Sequence, residues 1–148
     1  MYIRDLMEGK GSGVISTGVH TSLAGAAALM NKNRIGALMV LGEHSEVAGI
    51  VTERDILKSY GSASADDEVR LIMTPAKDLL IIHDDDTIEY AMSIFTANKI
   101  RHLPVFSEEK LIGIISIGDT VKSVLSLQEA ENKNLKDYIS GGMYPVFE

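Results

Sequence analysis

Two kinds of apolar pattern alternate along the chain. Over Thr21 to Asn33, the residues Leu23, Ala26, Ala27, Leu29 and Met30 recur at helical spacing, and over Thr87 to Asn98 the residues Ile88, Ala91, Met92, Ile94 and Phe95 do the same. Each spacing predicts a helix of about three turns with one apolar stripe. Thr21 or Ser22, and Asp86 or Thr87, are the candidate N-caps, since their side-chain oxygens accept hydrogen bonds from free backbone N–H groups. After each helix come two short β-branched and apolar runs joined by a polar turn, Ala37 to Leu41 with Val47 to Thr52, then His102 to Phe106 with Leu111 to Ile117. These predict hairpins. A second helix opens near Asp55 and near Asp119, and brief extended runs, Val14 to Thr17 and Leu79 to Ile82, precede the first helices.

The order strand, helix, strand, strand, helix is therefore written twice, and the two halves match residue by residue. Asn33 to Val40 lines up with Asn98 to Val105 at an offset of 65 (98 − 33), and the same offset pairs Leu23 with Ile88, Ala26 with Ala91 and Met30 with Phe95. Gly49 to Lys58 pairs with Gly113 to Lys122 at an offset of 64 (113 − 49). The length change falls between Val40 and Gly49, at the polar turn Gly42 to Glu46, where the first copy holds one residue more than the second and where such changes are tolerated. A unit of about 60 residues is marginal alone, so the apolar sheet face of each copy needs the other. The expected division is a first repeat over 1–62, a linker over 63–72, a second repeat over 73–127, and a C-terminal helix and tail over 128–148. Residues Tyr60 to Asp67 are rich in Gly, Ser, Ala and Asp, and the residues after Gly141 and Gly142 are expected to extend outward.

Composition narrows the function classes. The chain has 148 residues, 45% hydrophobic and 24% charged, ordinary values for one globule. No apolar run approaches the roughly 20 residues of a bilayer span, and the first residues lack a basic region followed by an apolar block. With no cysteine, disulfides, thiolate metal sites and cysteine nucleophiles are excluded, and a reducing compartment is compatible. The net charge of −7 opposes a general grip on nucleic acid or anionic membrane, while a local basic spot can still hold one anion. The expectation is a soluble, cytoplasmic α+β chain with no nucleic-acid or membrane partner.

The duplicated signatures Gly49-Ile-Val-Thr-x-x-Asp55 and Gly113-Ile-Ile-Ser-x-x-Asp119, each after a hairpin, resemble those of the CBS (cystathionine beta-synthase) domain family, as does Ile100-Arg-His-Leu-Pro-Val105. Lys10-Gly11 before the first strand, Arg34 to Leu38, and Ser116 to Asp119 are similar to the stand-alone CBS-pair proteins. The resemblance covers nearly the whole chain. It implies a tandem repeat of two β-α-β-β-α units packed sheet to sheet about a pseudo-twofold axis, with two equivalent clefts that hold adenosyl ligands, and a disc-like homodimer.

Residue chemistry ranks the two clefts. A carboxylate at Asp119, just after a strand, can accept both ribose hydroxyls, while the Ser116 hydroxyl and the N–H groups of Ile117 and Gly118 at the helix start can donate to phosphate. Thr52 and Asp55 repeat the element. By the resemblance, Arg101 and His102 face the phosphate of the ligand held by Asp119, and those residue types suit it: a planar fork of donors and a titratable one. The matching residues of the first copy, Gly36 and Ala37, donate nothing from side chains. Together with Ile35 they would let adenine approach, and by resemblance Lys10 to Ile15 closes over it. The Asp119 cleft is thus the stronger candidate and the Asp55 cleft the weaker. AMP is the foremost ligand, with ADP, ATP and NAD as others; no cofactor is required, and an effector protein is an expected but unidentified partner.

Bland readings stand beside these. Ser-x-x-Asp also caps helices. Asp84 to Asp86 suit a helix N-terminus by its dipole. His20, His44 and His83 lack metal-ligand spacing, and the seven methionines suit a core. No nucleophile elbow or phosphate loop occurs, so no catalytic residue is assigned. The alternatives to a nucleotide sensor are a structural dimerisation domain with empty clefts and a phosphate-hydrolysing enzyme using His102.

Overall fold

The computed structural model of the chain describes residues 1–11 and 13–141; the expected outward course of the last residues lies outside them. The first sheet holds four strands in the order β1 (Ser16–Gly18), β2 (Ala37–Leu41), β3 (Val47–Thr52) and β4 (Thr74–Pro75). The second holds β5 (Ile82–His83), β6 (His102–Ser107) and β7 (Lys110–Ser116). In each, the first strand runs parallel to the second and the second pairs antiparallel with the third. The helices are α1 (Ile3–Lys10), α2 (Leu23–Asn33), α3 (Glu53–Ser59), α4 (Ile88–Asn98) and α5 (Ile117–Gly141). The predicted helices and hairpins are present, and Ser22 and Thr87 are the caps that accept from Gly25 N and Tyr90 N.

Strand pleating explains the layers. Leu38 and Val40 of β2 point to α2 and share a core with Leu23, Ala26 and Met30, while Ala37 and Met39 point the other way. There they meet Ile50 of the same sheet and Leu111 and Ile114 of the other, so the two sheets pack face to face through a third apolar cluster. Both faces of β2 are buried, which is why it reads as a continuous apolar run and not as an alternating one.

Three elements depart from the sequence expectation. The first residues, for which no element was expected, form α1; Ile3 and Leu6 are buried in the core of the second repeat with Ile82, Ile88 and Phe95. The chain between the repeats carries a 3-10 turn, Val69–Leu71, and then β4; Val69 is fully buried in the core of the first repeat. The last helix is continuous from Ile117 to Gly141, with no break near Gln128.

The first two departures are one feature seen twice. Ile3 N donates to Asp86 O at 2.9 Å and Tyr2 bridges to Thr87; Val69 N donates to Thr21 O at 2.8 Å and Glu68 bridges to Ser22. Each leading segment thus completes the other repeat. The exchange crosses twice, so neither repeat closes its core without chain from outside its own hairpin and helices.

Candidate functional site

Thr52 and Ser116 end β3 and β7 and cap the helices that follow. Asp55 N donates to Thr52 Oγ1 at 3.2 Å and Thr52 N to Asp55 Oδ2 at 2.9 Å. The second repeat repeats this, with Asp119 N to Ser116 Oγ at 3.1 Å and Ser116 N to Asp119 Oδ2 at 2.8 Å. These are reciprocal capping boxes. The capping role is therefore real at both positions, and it consumes only Oδ2 of each carboxylate; among the described residues Oδ1 of Asp119 carries no hydrogen bond.

The two carboxylates differ in what else reaches them. Helix α1 ends at Gly11, whose φ of 89° suits glycine, and this leaves Lys10 beside the second repeat. Lys10 Nζ donates to Asp119 Oδ2 at 2.5 Å and to Ile114 O at 2.6 Å. Burial by itself would raise the Asp119 pKa, but the bond and charge of Lys10 with the N–H and hydroxyl of Ser116 outweigh it and hold the carboxyl below its usual value.

Beside this pair lies a cavity of about 330 Å³, within the size range of small-ligand sites. Of the candidate residues, Lys10, Ile15, Ile35, Gly36, Ala37, His102, Ser116 and Asp119 line it. Segments as far apart in the chain as Lys10 and Asp119, 109 residues, are thus brought to one hollow at the start of α5. Gly13, Val14, Arg34 and Ile114 line it too and were not among the candidates, although Arg34 and Val14 adjoin residues that were. Ile117 and Gly118 line instead a groove on the outer face of α5, with Val121 and Leu125. Thr52 and Asp55 stand at the head of α3, outside the cavity.

His102 is half-buried. Burial, the largest cause, lowers its pKa, and the charges of Lys10 and Arg101 add to this while Glu53 and Asp119 oppose it. The imidazole is therefore neutral at pH 7. Arg101 is exposed and is not part of the lining, yet its charge is felt at His102.

Two further side chains distinguish the halves. Arg54 Nη1 donates to Lys99 O at 3.1 Å, so this cation is laid across onto the second repeat; the matching position of the second copy is Gly118, with no side chain. Glu53 stands against Gly36: a Cβ built there would overlap Glu53 Oε1 and lie 3.2 Å from both Cε1 and Nε2 of His102. The only sequence signal for Glu53 was its place in the first turn after Thr52, which a helix dipole explains equally well. Among the described residues, no three His, Asp or Glu side chains gather where they would hold a metal ion, and no helix is long and apolar enough to cross a membrane.

Comparison with known proteins agrees with the architecture. A mitochondrial CBS domain-containing protein of Arabidopsis thaliana, CBSX3, is 34% identical over 95% of this chain and 72% of its own length. The crystal structure of a CBS-domain containing protein from Agrobacterium tumefaciens superposes with a TM-score of 0.78 at 36% identity, covering 83% of this chain and 98% of that one. A CBS domain protein from Pyrobaculum aerophilum, solved in complex with AMP, shares the fold with a TM-score of 0.71 at 21% identity, covering 80% of this chain and 89% of its own. Residues 3–62 and 68–126 each match the CBS domain, and the chain belongs to that family as a tandem pair.

Proposed function

We propose that the chain is a non-enzymatic regulatory module that holds an adenine nucleotide, AMP foremost, in the Asp119 cavity. The observation that carries this is the division of labour at Asp119: Oδ2 is spent on the helix cap and on Lys10, while Oδ1 belongs to a side chain lining a cavity of about 330 Å³. A carboxylate so held accepts ribose hydroxyls well, and the apolar Val14, Ile15, Ile35 and Ile114 offer a purine two faces. The AMP held by the P. aerophilum protein is consistent with this use of the fold.

Titration of AMP calorimetrically into the wild type, Asp119→Ala and Asp55→Ala tests the reading. The expected result is loss of at least tenfold in affinity for Asp119→Ala and less than threefold for Asp55→Ala; equal losses would refute the ranking. ADP, ATP and NAD are the related ligands to compare. Incubation with ATP is expected to give no turnover.

Assembly belongs to the same proposal. The helices leave Leu57, Tyr90, Met92, Val121 and Leu125 exposed, apolar positions open to a second copy, and a homodimer is expected by light scattering. Occupancy would then bias the packing of repeats or protomers, and so affinity for an effector protein in the cytoplasm.

A further inference from the structure

We propose that Glu53 sets how many phosphates the cavity accepts, admitting a monophosphate and rejecting longer chains. The inference rests on the adenine-nucleotide reading above. Gly36 and Arg34 line both the Asp119 cavity and an adjoining groove of about 500 Å³ between α2 and α3, and Glu53 lines only the groove. Gly36 is where Glu53 and His102 come together. His102 stands on its cavity side, and the Glu53 carboxylate reaches the point a Cβ would occupy on it. A nucleotide whose ribose is at Asp119 and whose first phosphate is at His102 therefore continues, with each further phosphate, past Gly36 toward a carboxylate.

The surrounding charges offset this only in part. Lys10 is committed to Asp119 and to Ile114 O, His102 is neutral at pH 7, and Arg54 is turned away onto Lys99 O. Arg34 is the cation common to both spaces, and the exposed Arg101 adds its charge at His102. The pseudo-symmetric residue of Glu53 is Ile117, so the carboxylate is a property of the first copy alone. A second and third phosphate bring about two to three further negative charges to a few ångströms from Glu53, and repulsion at partly screened distances of that order changes affinity by roughly tenfold.

Dissociation constants of adenosine, AMP and magnesium-free ATP for the wild type, Glu53→Gln and Glu53→Lys test the proposal. The wild type is expected to bind AMP more tightly than ATP. The ATP-to-AMP ratio of dissociation constants is expected to fall at least fivefold in Glu53→Gln and further in Glu53→Lys. A ratio within twofold of the wild type in both variants overturns the proposal. So does a change for adenosine equal to that for ATP, which would mark Glu53 as merely structural. If the wild type binds none of the three, the nucleotide reading itself fails, an outcome distinct from binding with an unchanged ratio.

Discussion

Lys10 and Asp119 stand 109 residues apart in the chain and 2.5 Å apart in the fold. The pair ties the end of α1 to the start of α5 at the wall of the cavity, and its stability contribution has a defined sign with pH. The folded-state pKa of Asp119 is depressed below its ordinary value of 3.8, so the stabilisation is present above that value and is lost as pH falls through the lowered one. Both side chains are partly exposed, which limits the pair to about 1 kcal/mol or less. Lys10→Met is expected to cost that amount in urea denaturation at pH 7 and to match the wild type once the carboxyl is protonated.

His102 has the same consequence in acid for a different reason. Its pKa is lowered chiefly by burial, so the unfolded chain takes up a proton first as pH falls below 6.5. Stability of the free protein is therefore expected to decline from pH 6.5 down to the lowered pKa and then to level, and His102→Gln is expected to remove this component. AMP affinity should move the other way, rising as the imidazole gains charge opposite phosphate. Denaturation and AMP titration at pH 8 and pH 5.5 check both signs.

Gly49 and Gly113 are equivalent in the repeat and unequal in consequence. A Cβ at Gly49 would overlap the backbone oxygen of Thr74 and force β3 away from β4, whereas at Gly113 it would meet the mobile end of Met7. Gly49→Ala is expected to cost about 2–3 kcal/mol and Gly113→Ala under about 1 kcal/mol, read as separate shifts in melting temperature.

Ile3 is fully buried although it lies near the chain start. Ile3→Ala is expected to destabilise by about 2–5 kcal/mol, as a core truncation does, while Tyr2→Ala, at an exposed neighbour, should cost far less. A small effect at Ile3 would refute the assignment of α1 to the core of the second repeat.

The helices α2 and α4 and both hairpins were legible because each carries its own periodicity, and the duplication made each copy a check on the other. Helix α1 was not, since eight residues with Ile3, Leu6 and Met7 as their apolar positions give too short a pattern, and packing on Ile82 and Ile88 supplies its stability. Strand β4 has two residues, one a proline, and exists because Gly49 lets it approach.

At the site, residue type and duplication pointed to Asp119 and Ser116, the family resemblance added His102, and the contrast of Arg101 and His102 with Gly36 and Ala37 predicted unequal clefts. The tertiary structure decided the rest: that Lys10 holds Asp119, that Arg101 stays outside while Arg34 lines the cavity, and that Glu53 and His102 meet at Gly36. The reason is physical. Periodicity and capping act over a few residues and are written locally, whereas a charge meets its partner only where two distant segments cross, and here they cross because each repeat is completed by the chain that leads into the other.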